Sequence, residues 1–140
     1  MSTVLWGNLL VNGKVICDEE DKYVLYKHSE KLNKLSLKLD VGSFSGVQDT
    51  TDMQFNLGDD ELPEGMESTD EMMAVKGTWI SSGDAKAMLE ALINHISSDN
   101  VRFGFLSNDV ADVLSELKQV LGFLNENDAE NAKFNFSVVM

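Results

Sequence analysis

Cysteine, proline and basic residues are scarce in this chain, and each scarcity excludes something. Cys17 is the single cysteine among 140 residues, which rules out an intramolecular disulfide and any zinc site built on two or more thiolates. Lying in an apolar run, it reads as a small buried strand residue rather than a reactive thiol. With one proline, Pro63, and no long linker or internal repeat, nothing divides the chain, and its length suits one domain, 1–140. No run approaches the roughly 18 apolar residues that a spanning helix needs. The start, Met1-Ser2-Thr3-Val4-Leu5-Trp6, lacks a basic segment followed by a long apolar one. Neither a signal peptide nor a membrane role is expected, and a cytoplasmic location is.

Eleven bases face twenty-four acids, for a net charge of −13. The imbalance is local: residues 1–39 sum to +1, residues 40–84 to −10 and residues 85–140 to −4. A field of this sign repels nucleic-acid phosphates and anionic lipid headgroups and attracts basic surfaces. Nucleic-acid binding is therefore not expected, and a basic protein partner is.

Catalytic signatures are missing too. There is no Gly-x-x-x-x-Gly-Lys-Ser/Thr, no Gly-x-Gly-x-x-Gly, no Gly-x-Ser-x-Gly and no His-Glu-x-x-His. Asp59-Asp60-Glu61 lacks the alternating oxygen ligands and the glycine of a calcium loop. No cofactor is implied.

What is present reads as alternating strands and helices. Ser81 to Ile96 is the clearest helix, with Ala85, Met88, Leu89, Leu92, Ile93 and Ile96 on one side. Ser81 is placed to cap it, with Asp84 as the shorter relative of a capping-box glutamate, and Ser97 to Asn100 ends it. Val4–Val11 and Lys14–Cys17 flank Asn12-Gly13, a type I′ hairpin signal. Asp18 to Asp21 resembles the acidic start of a helix over about Lys22–Leu39. Its inner stripe would be Val24, Leu25, His28, Leu32, Leu35 and Leu39, yet alternation at Leu35, Leu37, Leu39 and Val41 leaves a strand over 34–41 as a rival. Lys27, Lys31, Lys34 and Lys38 form a second stripe, a solvated flank or a contact for the chain's own acidic segment.

Phe44–Gln48 and Met53–Leu57 are strand candidates, and residues 58–71 form an acidic loop. Met73–Ile80 is a strand or an extended lead into the central helix. Val101–Leu106 either joins the sheet or plugs the core with Phe103. A third helix, capped by Ser107 or Asn108, carries Val110, Val113, Leu114, Leu117, Leu121 and Leu124. In Lys133–Val139, Phe134, Phe136 and Val138 alternate with polar residues as in a half-buried strand. Deleting the last seven residues is expected to unfold the domain. The sum is an α+β fold: a single mostly antiparallel sheet with three amphipathic helices packed on one face.

Lys27-His28-Ser29-Glu30-Lys31-Leu32, Trp79 before the central helix, and the closing Lys133-Phe-x-Phe-Ser-Val-Val139 resemble features of small acidic uncharacterised bacterial proteins. In size and charge these are similar to toxin-immunity proteins. The resemblance implies a partner-binding role and carries over no catalytic residue.

Three functions follow as expectations. In the first, Asp49, Asp52, Asp59, Asp60, Glu61, Glu64 and Glu67 steer a basic partner toward adaptable Met66 and Met72. In the second, His28 and His95 meet Asp49 and Asp52 across a cleft to hold a divalent metal for hydrolysis; Asp49-Thr50-Thr51-Asp52 is equally well explained as turn chemistry. In the third, exposed Trp6, Met72 or Met73 forms the contact of a homodimer.

Overall fold

The computed structural model describes residues 2–57, 65–66 and 68–140. Asp59, Asp60, Glu61, Glu64 and Glu67 therefore lie outside the described residues. In chain order the elements are β1 (Val4–Val11), β2 (Lys14–Cys17), α1 (Tyr23–Lys27), α2 (Ser29–Lys38), a 3-10 turn at Ser45–Val47, β3 (Gln48–Asp49), α3 (Thr51–Leu57), α4 (Thr69–Lys76), β4 (Ile80–Ser81), α5 (Ser82–Ser98), α6 (Val110–Glu126) and β5 (Lys133–Val139). This is an α+β fold with one five-stranded sheet, and three of its four strand pairings are antiparallel.

β5 is the centre of the sheet. It runs antiparallel to β1 along one side, and on the other it pairs with β3 in parallel and with β4 antiparallel. β2 returns from β1 through Asn12 and Gly13, whose φ values of 52° and 79° suit the expected type I′ turn. The register puts Leu5 opposite Val138 and Leu9 opposite Phe134. Those side chains share one face and bury against Leu25 of α1, Leu32 of α2, Leu92 of α5 and Leu117 of α6. Phe134 meets Phe136 edge-on with centroids 5.0 Å apart, and Phe44 tilts against Phe136 at 5.4 Å, both favourable ring geometries. Phe103 plugs this core from the loop before α6.

The central helix α5 forms as its periodicity predicts, with Ser81 Oγ accepting from Asp84 N at 3.1 Å. Residues 34–38 are helical, so the strand rival fails. The long first helix breaks, however, between α1 and α2 at His28. There Ser29 Oγ donates to Leu25 O at 2.9 Å, a local bond of the type that bends helices.

The acids at 18–21 do not cap α1. Asp18 Oδ1 accepts from Gly7 N at 3.1 Å, Asp21 accepts from Trp6 Nε1 at 2.8 Å, and the wholly buried Lys22 donates to Asp18. Glu116 of α6 instead supplies the acceptor for α1, taking Leu25 N at 3.0 Å. Phe44–Gln48 is mostly turn rather than strand, and Met53–Leu57 is helix. Asp49 Oδ1 accepts from Thr51 N at 2.9 Å, and Gln54 N donates to Thr50 O at 2.8 Å, which starts a helical turn just after β3. Met73 to Lys76 are likewise helical, because Ser68 Oγ caps α4 by accepting from Glu71 N at 3.3 Å.

Besides the three expected amphipathic helices, α3 and α4 therefore exist, and they lie over the opposite face of the sheet. β5 is buried on both sides as a result: Asn135 and Ser137 are buried, not exposed.

Candidate functional site

That second face is polar. The register sets Asn8 opposite Asn135 and Trp6 opposite Ser137. Asn8 Nδ2 donates to Asn135 Oδ1 at 3.0 Å and to Ser137 Oγ at 3.1 Å. Asn135 Nδ2 donates to Thr78 O at 2.9 Å, and Thr78 N donates to Asp49 Oδ2 at 2.8 Å. The chain of bonds ties β1, β5 and β3 to the segment leaving α4. Such networks fix a unique packing when every member is satisfied. Among the described residues no buried side-chain nitrogen or oxygen lacks a partner.

A cleft of about 80 Å³ opens between this face and the two short helices, lined by Asn8, Cys17, Glu19, Asp52, Thr69, Asp70 and Ser137 among others. Three carboxylates thus converge from β2's exit, α3 and α4. Asp52 accepts from Thr69 Oγ1 at 3.0 Å, which joins α3 to α4. The Asp70 residue as a whole is exposed, yet its carboxyl is pushed above its ordinary value. Partial desolvation against the cleft wall is the larger cause, followed by repulsion from Asp52 and Glu19. Glu19 is held at a φ of 52°, in the left-handed region that non-glycine residues seldom adopt. Burial pushes the Cys17 thiol up to about 11, so it stays protonated at neutral pH.

The structure treats the sequence-derived candidates unequally. Asp49 is 4% exposed, with both carboxylate oxygens accepting backbone N–H groups, so it is a turn-forming residue withheld from a partner. Asp52 borders the cleft, while Met66 and Met72 are half-buried. Met73 is buried rather than exposed, and Trp6 is half-buried with its indole N–H bonded to Asp21. The acidic run already places Asp70 with Asp52, whereas sequence reading missed Glu19 as their cleft companion; the pairing of β1 with β2 and the α4 cap are what bring the three together.

The four groups of the metal reading are not assembled. His28 Nε2 lies 2.8 Å from Asp109 Oδ2, and His95 Nδ1 lies 3.3 Å from Asp99 Oδ2. Asp49 accepts from Thr51 and Thr78, as given above. Among the described residues no three His, Cys, Asp or Glu side chains are grouped to hold a metal ion. Asp109 also takes Lys27 Nζ at 3.0 Å. Its carboxyl is held below the usual range first by the His28 bond and then by Lys27.

Among the described residues the ion pairs of the lysine stripe run to Asp109 and Glu30. No helix of the described residues is long and apolar enough to cross a membrane. The chain matches no protein-family model, no curated protein and no solved structure.

Proposed function

We propose that the protein is a non-enzymatic protein-binding module that presents carboxylates to a basic partner, as an immunity or inhibitor protein does when it neutralises a basic toxin in the cytoplasm. The observation that carries this reading is the gathering of Glu19, Asp52 and Asp70 around one cleft, with the Asp70 carboxyl raised first by desolvation and then by its like-charged neighbours. Like charges held together work against folding, and proteins tolerate such local conflicts at functional sites. A lysine or arginine entering the rim relieves the repulsion, and the surrounding field of a −13 chain speeds its approach by roughly 10- to 1000-fold at low salt.

The test is affinity capture on the immobilised protein at low and high salt. It is repeated with Glu19, Asp70, Asp59, Asp60, Glu61 and Glu64 converted to their amides. A basic protein retained at low salt, released at high salt and lost by the amide variant is the expected result. A partner that survives neutralisation, or the lack of any salt-sensitive basic partner, overturns the reading.

A further inference from the structure

A second surface, sharing no residue with the cleft, carries the opposite sign. Phe105 and Leu106, adjacent in the loop between α5 and α6, are 93% and 94% exposed. Single exposed apolar residues are ordinary, whereas neighbouring ones on a fixed backbone mark an interaction site. This backbone is fixed. Arg102 Nε donates to Gly104 O at 2.9 Å and its Nη2 to Phe105 O at 3.2 Å. Phe103 N donates to Asn108 Oδ1 at 2.9 Å, and Asp109 N to Phe103 O at 2.7 Å. Gly104 sits at a φ of +111°, where an added Cβ would lie 2.2 Å from Ser107 O, so the turn requires glycine.

The loop is joined to the lysine stripe. Lys31 Nζ donates to Arg102 O and stands 5.2 Å over the Phe103 ring, a cation–π arrangement. Lys27 and His28 meet at Asp109, where the loop ends. Lys27, Lys31 and Lys34, with His28 and Glu30, line an open groove of about 480 Å³. The loop that carries these exposed apolar side chains is thus tied at both its ends to a basic trough on an otherwise acidic molecule.

We propose that this trough and loop dock an acidic amphipathic segment of another protein. Its carboxylates lie along Lys27, Lys31, Lys34 and Arg102, and its apolar side chains cover Phe105 and Leu106. Because the loop is already ordered, little conformational freedom is lost on binding. A second copy fits poorly: a two-fold contact sets lysine against lysine, and a head-to-tail one leaves an open chain of subunits. An anionic bilayer fits poorly as well, since an extended sheet of that charge repels a molecule of −13. A short segment feels only the charges within a Debye length of about 8 Å.

The probe is a fluorescein-labelled synthetic helix of glutamate with leucine at three- and four-residue steps, titrated with the full chain and read by anisotropy. Binding is expected at low salt and declines with added salt. The double variant Phe105→Ser, Leu106→Ser weakens it roughly ten-fold or more, as loss of a central aromatic anchor does. Lys34→Glu, at an exposed position, weakens it too, and a control peptide with serine for leucine binds less tightly. Thermal melts confirm that the variants remain folded. The proposal is overturned by no binding, by binding that the loop variant leaves unchanged, or by equal binding of the control peptide. It is also overturned if phosphatidylglycerol vesicles bind where the peptide does not, or if the protein forms a dimer that Phe105→Ser dissolves.

Discussion

Asn8 donates from Nδ2 to Asn135 Oδ1 at 3.0 Å, joining side chains 127 positions apart in a site closed to solvent. Asn135 also donates to Thr78 O at 2.9 Å, so one amide holds the central strand to its neighbour and to the segment below α4. Asn135→Leu leaves the part-buried Thr78 carbonyl and the buried Asn8 amide each short of a partner. A loss of about 1–3 kcal/mol is expected, seen as a lower midpoint in thermal or urea unfolding. Asn8→Ala combined with Asn135→Leu should cost less than the two single changes together, because they remove the same bond.

Two glycines should respond oppositely to alanine. A Cβ on Gly77 would fall 2.4 Å from Met73 O and 2.9 Å from Asp49 Oδ2. Since a backbone oxygen cannot swing aside, Gly77→Ala should destabilise by about 1–3 kcal/mol. Gly122, inside α6, has nothing within 4 Å of the added carbon. There Gly122→Ala should stabilise by up to about 1 kcal/mol through helix propensity alone. Chemical denaturation of both variants separates steric conflict from backbone entropy.

The raised carboxyl of Asp70 gives a signed pH dependence. The folded value lies above the unfolded one, so this group costs stability once pH exceeds the folded value, and protonation on acidification removes that cost. Asp70→Asn should therefore raise stability at neutral pH, by at most about 1 kcal/mol for so exposed a group. Below the ordinary aspartate value of about 3.9 the variant and the parent should unfold alike. Urea midpoints at neutral and acid pH decide the matter; a difference that persists in acid would assign the effect to packing.

Cys17, with its thiol near 11 rather than the ordinary 9.0, should react slowly with a thiol-specific disulfide reagent. The thiolate fraction at mild alkaline pH falls roughly 100-fold for such a change. The rate should keep climbing with pH beyond the point where a free cysteine levels off. A rate equal to that of a small free thiol at pH about 8 would show the side chain to be solvated.

Much of the architecture is legible along the chain where periodic runs are long. Asn12-Gly13 announces the hairpin, the spacing from Ala85 to Ile96 announces α5, and the alternation from Phe134 to Val138 announces β5. α3 and α4, at seven and eight residues, make only two turns each, too few for a 3.6-residue period to stand out from an alternating one. One local sign of α4 does exist: Ser68-Thr69-Asp70-Glu71 has the residue spacing of a capping box, and Ser68 Oγ accepts from Glu71 N. The break at His28 goes with a side-chain bond, Ser29 Oγ to Leu25 O, that apolar spacing does not reveal, and the burial of Asn135 and Ser137 is a tertiary outcome, set by α4 covering the sheet. The candidate cleft was half legible: Asp52 belongs to the acidic run, but Glu19 reaches it only through strand pairing. The Phe105–Leu106 display depends on which half of that loop enters the core, and spacing cannot decide this.

β5 occupies the middle of the sheet yet follows every other element in the chain. During synthesis the hairpin of β1 and β2 must wait for more than a hundred further residues before its open side finds its mate. Pairing across so long a separation is slow, and an unsatisfied strand border invites other chains meanwhile. Recovery of native protein from an overcrowded translation or refolding reaction is therefore limited by how long that border stays bare, and co-expressed holding chaperones should raise the yield.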